Sequence, residues 1–449
     1  MILTKKQIFQ MTIPALLEQA LLQMVLALNL IFVSSAGAST VSGVSFVDQI
    51  TILISCTFAV AGIGVSVVVA QLTGQGNEEG VQKVIRQAVL IGLIFSFFAF
   101  LLGFFFNRPA IGWLMNGSES SVLQNASLYF KLSAVSYPFL MLYQVLIYVL
   151  RGRGQTKATM FITLIQTIVG MVLAYVLITV MQMGVFGAGM ALIVSRMIGA
   201  AFSFIFVRKL DLLPRIQLSD LKIDLIVQKS IFRIGLTPGI EAGIMGMTKV
   251  AIMALVAAKA STDQMAAVGP AQIGIDLLAL FPLALCYVCP TAIGFAKASL
   301  GKKELIRYAV HLLLISIAAS FASHMLLGAL ATWYANLFGL SVETTDTIIK
   351  IIQLGMWMQI VPWVFSYIIP PMMRAAGDSV FASVCSAASV LLVRYPLAYY
   401  FCVVRGMGAY GLYLAMFFDF LVKGVITLIY FLWGRWADRK KIEIPARAS

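Results

Sequence analysis

The chain has 449 residues, 61% hydrophobic and only 11% charged, against roughly 25% charged in a soluble domain. A mean hydropathy of +0.97 excludes a water-facing globular surface, and a net charge of +14 raises nucleic acid as a partner, which the placement of the cations argues against. Apolar runs of about 20 residues recur along the whole length, each long enough to cross a hydrocarbon core of roughly 30 Å. Alternating ten-residue strands are absent, so the crossing elements are helices, which satisfy their own backbone groups in lipid.

Twelve spans are predicted: 11–33, 44–71, 84–106, 123–150, 157–181, 185–207, 233–258, 265–296, 306–332, 348–373, 379–404 and 408–434. The first follows Lys5 and Lys6 and opens TIPALLEQALLQM, with Glu18 one turn in and Asn29 further on in LALNLIFVSS. It is a full crossing without a small-residue cleavage site, so it reads as a retained helix rather than a signal peptide. Asp48 stands near the start of span two, which runs into the turn VVVAQLTGQGNEEG. Span four ends in LRGRGQT, and span six follows MQMGVFG and carries Arg196. The longest polar stretch, 208–233, then separates the halves. Span seven opens LTPGIEAGIMGM with Glu241, and Lys249 lies about two turns later. Asp276 lies inside span eight, and His311 and His324 in span nine without a neighbouring carboxylate. Span ten holds Trp357, Gln359, Trp363 and Tyr367; span eleven holds Arg394; span twelve holds Asp419 and Lys423, four residues apart. Pro282, Pro290, Pro362, Pro370, Pro371 and Pro396 lie within spans, and bends are expected in spans eight and ten, because proline lacks the N–H that would hold the helix straight.

Every second connection is basic. The basic ones carry Lys83 and Arg86; Arg151, Arg153 and Lys157; Arg208, Lys209, Arg215, Lys222 and Lys229; Lys302, Lys303 and Arg307; Arg374; and the C-terminal Arg435, Arg439, Lys440 and Lys441. The positive-inside rule then places both termini in the cytoplasm, so the charge is a topology signal and not a nucleic-acid surface; the expected location is the plasma membrane. The five cysteines, Cys56, Cys286, Cys289, Cys385 and Cys402, all fall in apolar runs. The Cys286–Cys289 spacing lacks the second pair or the histidine that a zinc site needs, so no metal or cofactor is expected.

The halves repeat. Pro14 and Glu18 match Pro238 and Glu241 with one residue of slip, and SAGAST at 35–40 matches AKAST at 258–262. LRGRGQT matches MRAAGDS, placing Arg151 on Arg374 and Gly154 on Gly377; Gly184 and Gly187 match Gly408 and Gly411. Six spans per half is an even number, so the repeats are parallel. The expected fold is all-α, with twelve transmembrane helices in two parallel-repeat six-helix bundles flanking a central cleft. The N-terminal bundle spans 1–215 with a linker to about 232, and the C-terminal bundle spans 233–449.

These turns and helix starts, in this order in both halves, resemble the multidrug and toxic compound extrusion (MATE) family. The resemblance covers essentially the whole chain. It implies a V-shaped pair of bundles that exports small organic solutes, often cationic and amphipathic, by antiport with protons or sodium ions through alternating access. The sequence departs from the family at Asn29, where most bacterial members carry an aspartate in span one; an amide exchanges no proton.

An ionisable group at mid-membrane costs about 2.5–3.5 kcal/mol on the insertion scale, so each is weighed as a site. Glu18, Glu241, Asp276, Lys249, Asp48 and Asn29 are the ion-coupling candidates. For the two glutamates, repetition favours helix support at the positive dipole end over ion binding. A cluster of Glu241, Lys249 and Asp276 would hold the switchable charge in the C-terminal half. Trp357, Gln359, Trp363, Tyr367 and Arg394 are the substrate-cleft candidates. Asp419 and Lys423 read as a mutually neutralising (i, i+4) pair, and Arg196 as structural. No P-loop, metal-ligand cluster or nucleophile beside a base is found, so an enzyme is not expected. A monomer is expected, with small organic solutes, H+ or Na+ and the bilayer as its partners. Two alternatives are a lipid-linked oligosaccharide flippase, which usually has a cationic cavity and extra spans, and a major-facilitator-type transporter. AQLTGQGNEEG lacks the Gly-x-x-x-Asp-Arg motif of the latter.

Overall fold

The computed structural model describes residues 3–34, 38–114, 120–212, 223–257, 262–338 and 340–439; the side chains of 23–43 lie outside that description. Asn29 therefore sits on a described helix with an undescribed side chain, and the 35–40 and 258–262 repeat segments fall largely outside the described residues.

Twelve helical spans succeed one another: α1 (Lys5–Ser34), α2 (Ala38–Gln75), α3 (Glu78–Phe105), α4 (Ser120–Gly152), α5 (Thr156–Val180), α6 (Gly184–Lys209), α7 (Leu225–Ala257), α8 (Thr262–Leu278 and Leu280–Ser299), α9 (Lys302–Gly328), α10 (Val342–Met358 and Pro362–Ala375), α11 (Val380–Val404) and α12 (Gly408–Trp433). Eight described helices are long and apolar enough to cross a membrane, nine with the bent pair in α10. The remaining three, α1, α2 and α7, contain undescribed side chains and complete the twelve.

The chain divides into two compact units. The N-terminal unit is Leu17–Gly235; the C-terminal unit is Leu236–Ile442 with Met1–Leu16. In the first, α4 packs against α2, α3 and α6, and α5 against α6. In the second, the inner part of α10 packs on α12, and its outer part on the first segment of α8. Close packing at the start of α7 depends on missing side chains. A Cβ on Gly235 would stand 2.0 Å from the Val60 carbonyl oxygen, and one on Gly64 2.2 Å from that of Ile231.

The breaks in α8 and α10 fall beside prolines, while Pro290 lies within the unbroken Leu280–Ser299 segment. α8 breaks at Ala279, just before Pro282, and α10 turns through 76° at the break before Pro362. A proline leaves the carbonyl four residues earlier without its helical donor, and side chains supply replacements. The Ser323 hydroxyl donates to the Leu278 carbonyl, orphaned by Pro282, at 2.7 Å. The Cys286 thiol donates to the Tyr367 carbonyl, orphaned by Pro371, at 3.2 Å.

The repeat is visible in backbone detail. After α4, Gly154 (φ 75°) closes the helix with bonds from Gln155 N to Leu150 O and from Gly154 N to Arg151 O. After α10, Gly377 (φ 99°) does the same through Asp378 N to Met373 O and Gly377 N to Arg374 O. This is the left-handed C-terminal turn that glycine adopts without strain. α5 ends in a π-helical stretch, Tyr175–Val180, as α11 does at Tyr400–Val404. Each leads to a glycine at φ 52°, Gly184 and Gly408.

Candidate functional site

The polar groups inside the two units decide where chemistry can occur. In the N-terminal unit Glu18, 3% exposed, is held by Arg151 Nη2 at 2.7 Å from Oε1. The Thr159 hydroxyl donates to Oε2 at 3.1 Å and the Thr163 hydroxyl to Oε1 at 3.2 Å. In the C-terminal unit Arg374 Nη2 bonds Glu241 Oε2 and lies 3.4 Å from the Ser383 hydroxyl. Both pairs are separated by 133 positions along the chain. Sequence comparison matched glutamate to glutamate and arginine to arginine without seeing that they bond each other. The equal separation was the available signal. Each pair ties the first helix of a repeat to the end of its fourth.

Two other carboxylates have no cation within ion-pair distance among the described residues. Asp48, on α2, accepts from the Tyr129 hydroxyl of α4 at 3.2 Å, with the buried Arg196 of α6 nearby. Arg196 donates to the Ser136 hydroxyl at 2.5 Å. Asp276, on α8, accepts from the Gln272 side chain one turn earlier at 2.9 Å. The Tyr334 and Tyr413 hydroxyls, which feel the charge of Asp276, donate to the backbone carbonyls of Pro270 and Val268 at 2.7 Å each.

The expected Glu241, Lys249 and Asp276 cluster does not form. Arg374 occupies Glu241, and Lys249 is exposed, near enough to influence Asp276 but not to pair with it.

The expected Asp419–Lys423 pair is also replaced. Asp419 Oδ2 stands 3.0 Å from Arg394 Nη2, and its other oxygen accepts from the Ser389 hydroxyl. The guanidinium meets the carboxylate at an angle too poor for a hydrogen bond, so Arg394 Nη2 and Nε keep no hydrogen-bond partner. Lys423, 1% exposed, has no carboxylate within ion-pair distance among the described residues. Its ammonium lies 4.2 Å from the centroid of the Tyr367 ring. A cation over an aromatic face gains about 0.5–2 kcal/mol, less than the several kcal/mol that desolvating an ammonium costs.

Of the aromatic candidates, Trp363 and Tyr367 stack at 4.9 Å, and Tyr367 meets Phe420 edge-on at 5.2 Å. Arg394 lies 5.3 Å from the Phe420 ring. Trp357 belongs elsewhere: it is 66% exposed, on the first segment of α10, before the bend. There it lines a recess of about 700 Å³ with Gln264, Gln353, Lys350 and Tyr410. Gln359 is fully buried at the bend. The bend that proline chemistry predicted thus splits the single aromatic wall expected from sequence.

The MatE family model matches residues 14–176. A probable multidrug resistance protein NorM of Thermotoga maritima is 22% identical over 449 residues, covering 97% of this chain and 94% of that protein. A NorM of Bacillus cereus is 32% identical over 145 residues, 32% of this chain and 31% of its own. Among solved structures, an outward-facing multidrug resistance MATE family transporter of the MOP superfamily superposes with a TM-score of 0.84 at 20% identity, covering 97% of both chains. A MOP superfamily transporter from Pyrococcus furiosus, described as having a binding pocket of reversed polarity, gives 0.83 at 20% identity over 96% of this chain and 95% of its own.

Proposed function

The chain belongs to the multidrug and toxic compound extrusion family of membrane transporters, and from that premise we propose that it exports small organic solutes across the plasma membrane in exchange for protons or sodium ions. The two six-helix bundles alternate access to the two sides, and both termini face the cytoplasm. The alternation of basic and neutral connections supports that orientation.

One observation carries the ion-coupled reading. Each unit holds a partly buried aspartate whose hydrogen bond comes from a neutral group, Tyr129 for Asp48 and Gln272 for Asp276. The two repeated glutamates are committed to arginines. A carboxylate without a cation partner can accept a proton or a sodium ion; one locked to a guanidinium has that place taken. Asp276 and Asp48 are therefore the coupling groups, and Glu18 and Glu241 hold the repeats together. Asn29 takes no part in proton exchange.

The test is gradient-driven ethidium flux in proteoliposomes of the purified protein, with pH and sodium gradients imposed separately. Asp276→Asn should lower the flux at least tenfold under the effective gradient. Full flux in that variant, or wild-type flux that ignores both gradients, refutes the reading.

A further inference from the structure

The interior of the C-terminal unit carries two cations to one carboxylate where α10, α11 and α12 meet. Asp419 Oδ1 accepts from the Ser389 hydroxyl, and its Oδ2 faces the charge of Arg394 at 3.0 Å without a hydrogen bond. That leaves the Lys423 ammonium, 99% buried by its 1% exposure, with a ring face as its nearest compensation. It also leaves the buried Nε–H of Arg394 without an acceptor, while Nη2 stands against Asp419 Oδ2 at 3.0 Å. Buried donors of this kind are nearly always satisfied, and a buried cation calls for an anion. Beside them stands an aromatic set, Trp363 stacked on Tyr367 and Tyr367 against Phe420. Arg394 has 15% of its side chain exposed.

We propose that this cluster is a substrate subsite for small aromatic anions, in which Lys423 and the spare Arg394 Nε–H take a carboxylate or sulfonate and the Tyr367, Phe420 and Trp363 rings pack the aromatic body. Asp419 does not repel such a ligand, because its charge is already engaged. Its role is to position Arg394, holding Nη2 at the carboxylate and leaving Nε free. The proposal rests on the reading of the chain as a solute exporter. It narrows the solute class for this unit to anions, against the cationic solutes that the family resemblance alone implies.

The test is isothermal titration calorimetry of the full-length protein in detergent with 1-naphthalenesulfonate and with its neutral analogue 1-naphthalenesulfonamide. Wild type should bind the sulfonate at least tenfold more tightly than the sulfonamide. Lys423→Gln should remove that preference, and Lys423→Arg should keep it within threefold. Melting curves verify that each variant is folded; if Lys423→Gln is not, the wild-type comparison and Lys423→Arg decide. Equal binding of the two naphthalenes by wild type, an undiminished preference in a folded Lys423→Gln, or its loss in a folded Lys423→Arg overturns the subsite. Gradient-driven flux of 1-naphthalenesulfonate and of ethidium, with the same wild-type protein in proteoliposomes, separates the two readings. Gradient-driven flux with no sulfonate preference removes the anion subsite alone. A sulfonate preference with no gradient-driven flux keeps the subsite and removes ion-coupled export.

Discussion

Replacing Arg151 with methionine strands Glu18 in the interior. The carboxylate is 3% exposed and would keep only the Thr159 and Thr163 hydroxyls as donors. Removing one partner of a buried pair typically costs about 3–5 kcal/mol, because the remaining charge is uncompensated. Two hydroxyl bonds to a charged group offset part of that, so the expected loss for Arg151→Met is about 3 kcal/mol. Glu18→Gln leaves the guanidinium, whose side chain is 14% exposed and so reaches some water; its expected loss is about 2 kcal/mol. The double variant Glu18→Gln/Arg151→Met buries no lone charge and should be more stable than the sum of the singles by at least about 1.5 kcal/mol. The equivalent variants of Glu241 and Arg374 should show coupling of the same sign, since those side chains are 11% and 12% exposed. The assay is reversible unfolding in detergent, or thermal melting where unfolding is irreversible, on all four members of each cycle. Additive losses in both cycles would refute the argument that these pairs are structural clamps.

Two further predictions concern α7. Gly235→Ala places a methyl 2.0 Å from the Val60 carbonyl oxygen, a backbone atom with nowhere to go. It should cost about 1–3 kcal/mol, whereas Gly243→Ala on the same helix meets nothing within 4 Å and should be neutral or slightly stabilising in the same melting assay. Asp224 caps α7 by accepting from the Ile226 and Val227 amides at 2.9 and 3.2 Å and pairs with Lys83 at 2.7 Å. The Lys83 hydrogen bond, aided by those amides, holds its carboxyl below the ordinary carboxylate value. A depressed folded pKa contributes stability that is present above the unfolded value of about 3.9 and is lost as pH falls through the folded one. Asp224→Ala should therefore cost about 1 kcal/mol at pH 7, and the difference from wild type should shrink below pH 4. A difference that stays constant across that range would show that the charge is not involved.

How much was legible in advance depends on the period over which each feature is written. Helix positions are written over 20 or more residues of hydropathy, and each predicted span overlaps one observed helix, closely at 157–181 against Thr156–Val180 and with a start eight residues late at 233 against Leu225. Turns are written in two or three residues with a special backbone, and Gly154 and Gly377 adopt the positive φ that their matched contexts imply. The α10 bend followed from Pro362 because a missing N–H is a local fact. Side-chain partners are not local. Asp419 chose Arg394 over the lysine four residues away, because α11 brings a planar guanidinium to its face while Lys423 points toward the Tyr367 ring on α10. The i, i+4 rule describes an isolated helix; inside a bundle, neighbouring helices outbid it.

The same reasoning locates where the two repeats differ. Duplication preserved what the backbone requires: the glycine turns, the π-helical ends of α5 and α11, and a glutamate bonded to an arginine 133 positions on. It did not preserve the free charges. The N-terminal unit keeps Asp48 with Tyr129 and Arg196, while the C-terminal unit keeps Asp276 apart from Arg394, Asp419 and Lys423. A buried charge with no fold-building partner is expensive in an apolar bundle and is not needed to close it. The clamps meet the structural need in both units, and the unmatched charges are the ones on which the proposed ion coupling and the proposed anion subsite rest. Both proposals place a group in the C-terminal unit: Asp276, and the buried cluster of Lys423 and Arg394 beside the Tyr367 ring. The N-terminal unit holds one aspartate and an arginine already bonded to Ser136.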